Sequence, residues 1–415
     1  MPPVPLAPFA ESLRTETAFD VLAVAKTLKA AGKDVIELQI GDSPFPSTAT
    51  AITAGKAAVD AGQTRYAPSL GLPEFREAAA RMVREEFGVP AAAENVVAAP
   101  GAKPLELFFC EAFLEPGDEV LVFTPHFPTF EPNIARRGAR AVLAPLTQEN
   151  QFRPDPEAVR RFLKTSPRPK AVFLNSPHNP TGGVATAGDL KGIADAVRGK
   201  PVAVFSDEPY CHMSWAGPHR SILAEPGMLD QCVGAYTFSK SYSMSGWRLG
   251  FAVAAPATVQ AIGKMTNTSL SCVPPFVQLA GAAALTHDAA ERDDAMRKFR
   301  AKVERLVGEL QKVDGVTCPM PAGTFYAFPN VKPICDRLGI TSQGLAMYLL
   351  EGADDRVGVG CLGGECFGEA GRGFLRFSCA EADDRLTAAV RFLADAVTRA
   401  DRVKGYLDAH PKYRV

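Results

Sequence analysis

Between residues 95 and 255, short apolar runs alternate with stretches of helical periodicity. The runs 95–99, 119–123, 141–145, 170–175, 202–206, 232–238 and 249–255 are too short for helices and read as strands. The periodic stretches 104–114, 156–164 and 187–197 read as helices, and another opens at 124–128 and runs to about 137. Strand and helix in repetition, with strands apolar on both faces, predict a parallel sheet covered on both sides. Upstream, 19–31, 49–61 and 73–87 have helical periodicity; Gly32 and Gly62 close the first two, and Pro73 opens the third where its missing N–H is not needed. Residues 1–17 read as an extended arm, and 35–40 as a strand running into the turn 41–46. After about residue 286 the pattern changes. A long, heavily charged helix (288–313), strands 316–319, 325–328 and 374–379, and helices 342–351 and 383–400 predict a smaller α+β domain. The expected division is an N-terminal arm and helix (1–40) packing with the small domain (288–415), around a large α/β domain (41–287).

Composition narrows the function. The 415 residues carry 45 Lys plus Arg and 46 Asp plus Glu, a net charge of −1, which gives no electrostatic case for nucleic acid or an anionic membrane. The proline-rich start lacks the features of a signal peptide, and no apolar run is long enough to span a bilayer. Nine cysteines without a CxxC pair read as free thiols in a reducing compartment, not as a metal site. The expectation is a soluble cytoplasmic protein.

The candidate chemistry centres on residues 236–250, YTFSKSYSMSGWRLG. Lys240 follows an apolar strand, and Arg248 lies eight residues on. A partly buried amine is a usable nucleophile or base, and hydroxyls with a guanidinium suit a phosphate. The other informative residues stand where strands end, as ligand-binding residues of open α/β sheets do. Gly101, Ala102 and Lys103 open a helix, a cradle of backbone N–H groups or an ordinary turn. Asn179 lies in Asn-Pro-Thr-Gly. Asp207 ends a buried strand and needs a cation, such as a protonated pyridine nitrogen. Tyr210 is placed to reach a ring hydroxyl, and Phe127 to stack on a flat ring or fill the core. Arg376, inside an apolar strand, needs a carboxylate from the protein or a substrate. Together these contacts match one cofactor, pyridoxal 5′-phosphate.

The chain resembles the class I/II aminotransferases of pyridoxal-phosphate fold type I, the aspartate aminotransferase superfamily, from about residue 28 to 400. The motifs GAKP, NSPHNPTGG, SDEPY, FSKSYSMSGWRLG and PAGTFYAFP carry the resemblance. It implies that Lys240 forms the Schiff base and then serves as acid and base, that Asp207 holds the pyridinium proton, and that Asn179 and Tyr210 bond the ring oxygen. It places Gly101, Ala102, Lys103, Thr237, Ser239 and Arg248 around the phosphate. Tyr66 would reach the phosphate in a neighbouring subunit, making the active form a homodimer. Arg376, with the backbone at Gly41, would grip the substrate α-carboxylate, and Phe127 and Asn179 would also meet the substrate. The implied reaction moves an amino group between an L-amino acid and a 2-oxo acid by a ping-pong route. A β-eliminating carbon–sulfur lyase, and a non-catalytic ligand-binding protein, are the alternatives. No residue is assigned to a distal carboxylate; Phe9, Phe19 and His126 are only candidates for the side-chain pocket. The glycine-rich stretch 360–373 departs from the family pattern.

Overall fold

The computed structural model of the chain describes residues 4–13 and 16–415. The expected strands form one seven-stranded sheet in the order Val96–Ala99, Gly250–Ala254, Cys232–Thr237, Ala203–Asp207, Pro169–Asn175, Glu119–Thr124, Arg140–Pro145. Neighbours are parallel except at Gly250–Ala254, which is antiparallel to both strands beside it. The sheet is therefore mostly parallel, as expected, with that one strand reversed. The chain returns from Thr237 to Gly250 through a loop and one short 3₁₀ turn. Without a crossover element, a strand entering beside its predecessor runs the other way.

The strands are apolar throughout because both faces are covered. Val120, Val122, Phe173, Phe205 and Val233 pack into one hydrophobic cluster, while Leu121, Phe123, Val172, Leu174 and Val204 pack into the other. Successive side chains of a strand alternate between faces, so two cores read as one continuous run. Register then sets the site: Asn175 lies opposite Asp207, and Asp207 opposite Ala235. The C-terminal ends of three central strands therefore meet at one sheet edge. Local signals fix the covering helices. The Asp155 carboxylate accepts from the Glu157 N–H at 2.9 Å ahead of Pro156–Thr165, and Thr186 and Asp189 form a capping box on Ala187–Val197.

Two helices, Pro256–Leu270 and Pro275–His287, add to the expected set. The second is rich in Ala and Gly and buried on several sides, so it lacks a one-sided apolar stripe. Gly281 is needed for that packing, since an added Cβ would lie 2.2 Å from Leu249 Cδ2.

Elsewhere Asp34–Glu37 pairs in parallel with Val357–Gly360, and Leu362–Gly363, Leu375–Ser378 and Tyr326–Ala327 form an antiparallel sheet. The charged helix Ala289–Leu310 buries Met296, Phe299, Val303, Leu306, Val307 and Leu310 along one stripe, so it is packed and not merely connecting. The expected strand 316–319 is only the single bridge Thr317–Asn330; the prolines at 319 and 321 have no N–H to extend it. The helix expected from 124–128 begins at Phe130, because Pro125 and Pro128 disfavour helical geometry in the residues before them. The stretch 342–351 is helical over Ser342–Met347 and widens into a π-turn, and 383–400 divides into Asp383–Ala396 and Ala400–Ala409. In the arm expected to be extended, Pro8–Ser12 is a short helix opened by its proline; residues 1–3, 14 and 15 lie outside the described residues. Among the described residues no helix is long and apolar enough to cross a membrane.

Candidate active site

A cavity of about 340 Å³ opens at the sheet edge. Gly41, Ala102, Lys103, Phe127, Asn179, Asp207, Tyr210, Thr237, Ser239, Lys240, Arg248 and Arg376 all line it. Gly101 lies just behind, against Arg248. Tyr66 does not join them: it is 89% exposed on the outer surface. Of the side-chain-pocket candidates, Phe19 lines the cavity. His126 turns to Glu131, 2.9 Å away, and Phe9 lies against Arg136.

At one end the groups suit a phosphate. The hydroxyls of Thr237 and Ser239 are 2.9 Å apart, and the Ser239 N–H donates to Thr237 Oγ1. Arg248 takes a left-handed backbone conformation, φ 57°, and its guanidinium donates to the carbonyls of Ser245 (2.7 Å) and Pro100 (3.0 Å). Those bonds leave further N–H groups of the fork for a ligand. Gly101 (φ 91°) makes this possible: an added Cβ would sit 2.4 Å from Arg248 Nη2. Beside it the start of the helix Lys103–Phe113 offers the N–H groups of Ala102 and Lys103; Pro104 has none, and the Leu105 N–H donates to the Ala102 carbonyl at 3.0 Å.

Lys240 occupies the middle. Its ammonium donates to the Gly41 carbonyl and lies 5.9 Å and 5.7 Å from the ring centroids of Tyr210 and Phe325. Deeper, Asn175 Nδ2 donates to Asp207 Oδ2 at 3.2 Å and to the Asp207 carbonyl at 2.8 Å, while Asn175 Oδ1 accepts from the Asn179 N–H. Burial pushes the Asp207 carboxyl well above the usual carboxylate range, and the neighbouring Glu106 and Glu208 add to the rise against the pull of Lys240. Glu208 is itself satisfied by Ser206, Ser221 and His219, each at 2.7 Å. Asp207 is thus a half-buried carboxyl at the cavity wall, short of positive charge and the complement of a protonated ring nitrogen.

At the other end Arg376 is 4% exposed. It donates to Asn179 Oδ1 (3.0 Å) and the Gln39 carbonyl (2.7 Å), and its guanidinium lies 4.4 Å and 5.0 Å from the rings of Tyr326 and Phe367. Its Nε has no acceptor among the described residues. A buried arginine with an orphaned donor fits an incoming carboxylate. The Tyr210 and Tyr326 hydroxyls are 3.0 Å apart, and Tyr326 explains Gly41: a Cβ there would lie 1.9 Å from the Tyr326 hydroxyl.

Four residues are additions to the sequence reading: Glu16, Glu106 and Tyr326 line the cavity, and Asn175 supports it from behind Asp207 and Asn179. Asn175 and Tyr326 stand inside quoted or adjoining motifs and hold Asp207, Asn179 and Gly41 in place. Glu16 and Glu106 carry no such signal, being ordinary charged residues beside helix starts. Glu106 is 3% exposed; Thr129 donates to its Oε2 (2.7 Å) and Asn133 to its Oε1 (2.6 Å). Burial raises its carboxyl from 4.5 to about 7, against those two bonds. The folded protein then holds a proton there that the unfolded chain releases, so this residue's contribution to stability falls as pH rises from 4.5 to 7. Glu106→Gln keeps both contacts after the Thr129 hydroxyl rotates. It should flatten that fall, by up to roughly 3 kcal/mol between pH 4.5 and 8 in urea unfolding. A wild-type slope in the variant would contradict this assignment.

The phosphate cradle, half-buried amine, cation-seeking carboxylate and carboxylate-seeking arginine together fit pyridoxal phosphate. Comparison with known proteins agrees. The family model described as aminotransferase class I and II matches residues 33–393. An aspartate aminotransferase of Pyrococcus abyssi is 34% identical over 361 residues, 86% of this chain and 90% of that protein. An aromatic-amino-acid aminotransferase of Thermococcus litoralis is 30% identical over 359 residues, with 86% and 90% covered. Among solved structures, an aspartate aminotransferase from Thermus thermophilus with maleate superposes with a TM-score of 0.88 at 29% identity, over 95% of this chain and 100% of that one. These relatives support amino transfer and not the lyase alternative. With a family model spanning most of its length and its fold shared with solved aminotransferases, this chain belongs to the class I and II aminotransferases and is a pyridoxal-phosphate-dependent transaminase.

Proposed function

We propose that Lys240 holds the cofactor aldehyde and, once displaced by the incoming amine, moves the proton at the substrate Cα. The observation that carries this is the position of its ammonium, inside the cavity shared with Asp207, Arg248 and Arg376. Pyridoxal phosphate, when bound, supplies an electron sink next to the substrate Cα. Asp207 keeps the ring nitrogen protonated, steadied by Asn175. Thr237, Ser239, Arg248 and the N–H groups of Ala102 and Lys103 would hold the phosphate, with Gly101 leaving room for the Arg248 guanidinium; Phe127 would stack on the ring, and Asn179 and Tyr210 would bond the ring oxygen. Arg376 binds the α-carboxylate, with the backbone at Gly41 beside it, which orients the Cα–H bond toward Lys240. The donor is an L-amino acid and the acceptor a 2-oxo acid, exchanged in turn at one site. Visible spectra of the loaded enzyme test this. Amino acids should bleach the cofactor band and 2-oxo acids restore it; ammonia release without an acceptor would point to elimination instead.

Arg376→Lys tests the carboxylate role. Lysine keeps the charge but not the fork, so KM for amino acids should rise roughly 10–100-fold while kcat changes less. An unchanged KM would place the carboxylate elsewhere.

We infer also a homodimer, located in the cytoplasm. Tyr66 stands away from its own cavity on a loop pinned to the end of the helix Pro256–Leu270, where Ser69 Oγ donates to the Ser271 carbonyl (2.8 Å). An exposed tyrosine so held suits a neighbouring subunit's phosphate. Free cysteines support the reducing location. The pairing of Asp34–Glu37 with Val357–Gly360 supports grouping 1–40 with 288–415 as the small domain around 41–287.

A further inference from the structure

Among the described residues, the cations lining the cavity are Lys103, Lys240, Arg248 and Arg376. In the reading above, on which this inference rests, Lys240 serves the aldehyde, Arg248 the phosphate and Arg376 the α-carboxylate. Among the described residues Lys103 is then the lining cation left to bind a second carboxylate on the substrate side chain. It is already engaged. Its ammonium pairs with Glu16, whose side chain is only 18% exposed, and it lies 5.9 Å from the Phe19 ring centroid and 5.4 Å from that of Phe127. Glu16 is held in place as the residue before the helix Thr17–Ala30, its carbonyl accepting from the Phe19 N–H at 2.9 Å. A second carboxyl, Glu106, stands in the same wall one helical turn beyond Lys103. The rings of Phe19 and Phe127 flank the pair, and Ala18 and Ile40 are further apolar residues of the cavity lining.

We infer that Glu16 takes, on Lys103, the place a substrate's second carboxylate needs, so that the enzyme selects monocarboxylic amino acids with apolar or aromatic side chains over dicarboxylic ones. A distal carboxylate entering this end must displace Glu16 or lie beside it as a like charge, and such juxtaposition is how a site rejects a competitor. An apolar side chain meets only rings and methyl groups and leaves the ion pair intact. Glu16 is in this sense a specificity residue and takes no part in proton transfer.

The test uses the loaded enzyme as wild type, as Glu16→Gln and as the double variant Glu16→Gln/Lys103→Met. Single-turnover rates are measured with phenylalanine and leucine against aspartate and glutamate, and maleate affinity is measured separately by calorimetry. Wild type should favour the monocarboxylic pair by at least about tenfold in kcat/KM. Glu16→Gln should move the ratio toward the dicarboxylic pair by about tenfold or more and tighten maleate binding to match, and the double variant should reverse both gains. Equal use of aspartate and phenylalanine by wild type, or a ratio and maleate affinity unmoved in Glu16→Gln, would overturn the inference. Should no amino acid react at all, the division of labour around Lys240 fails, and the maleate titration alone decides on Glu16.

Discussion

Lys240→Ala should lose at least about 10⁴-fold in turnover, because one side chain supplies both the nucleophile for the cofactor aldehyde and the acid–base group. The geometry leaves no substitute. Among the described residues the other amine lining the cavity is Lys103, which is tied to Glu16. The guanidinium groups of Arg248 and Arg376 are donors without an acceptor site, and they are bonded to the carbonyls of Ser245 and Pro100 and to Gln39 and Asn179. The hydroxyls of Tyr210 and Tyr326 are buried against each other, 3.0 Å apart, and burial together with the charge of Tyr326 pushes the Tyr210 phenol well up, so Tyr210 is not a base near neutrality. Lys240→Arg should be as inactive as the alanine variant despite its retained charge, since an always-charged guanidinium cannot attack an aldehyde. The loss should come without loss of fold: Lys240 is half-buried and its single polar bond is to the Gly41 carbonyl. Stopped-flow half-reactions together with thermal unfolding check both parts. A folded Lys240→Ala protein that kept more than about 1% of wild-type turnover would remove Lys240 from the chemistry.

Much of this site is legible in the sequence because each strand end brings its chemistry with it. Asn175, Asp207 and Thr237 follow apolar runs directly, and parallel register then sets them side by side. The phosphate end is legible for a related reason, since Gly101 and Arg248 sit in turn sequences that only a tight approach requires. What the pattern does not carry is direction and distance. Nothing in the run 249–255 says that it pairs antiparallel. The strand Val357–Gly360 is four residues whose partner lies more than three hundred positions away. The helix Pro275–His287 hides for lack of a polar face. Glu16 and Glu106 look like surface charges by composition, and only the tertiary fold turns them into the cavity. Tyr326 was inside a quoted motif, yet its contact with Gly41 depends on two segments that meet only in three dimensions. Tyr66 shows the opposite failure: the resemblance gives it a part, but on its own chain it stands exposed and away from the cavity, and the part proposed for it lies in a second subunit.

Asp207→Asn should cost about 10²–10³-fold in kcat, the scale for removing one preorganised charge at a reacting centre. The amide has the size of the carboxyl and can still accept from Asn175, so the packing survives while the charge does not. The neighbourhood makes this loss specific. Asp207 lies at the end of a buried strand with Glu106 and Glu208 close enough to raise its pKa, and Lys240 is the only cation among the causes that lower it. Such a site is unfavourable to a lone carboxylate and favourable to a cation, which the ring nitrogen supplies on protonation. The same argument fixes a second readout of opposite sign. A carboxyl whose folded pKa is raised loses stability as pH climbs above its unfolded value of 3.8. In protein stripped of cofactor, Asp207→Asn should therefore unfold at higher denaturant than wild type at pH 8, and the gap should close near pH 3.8. A variant slower in turnover yet more stable when empty is the signature of a residue kept for chemistry at the expense of the fold. A variant that lost stability at pH 8, or kept wild-type kcat, would show that Asp207 is held in place by packing and is not the partner of the ring nitrogen.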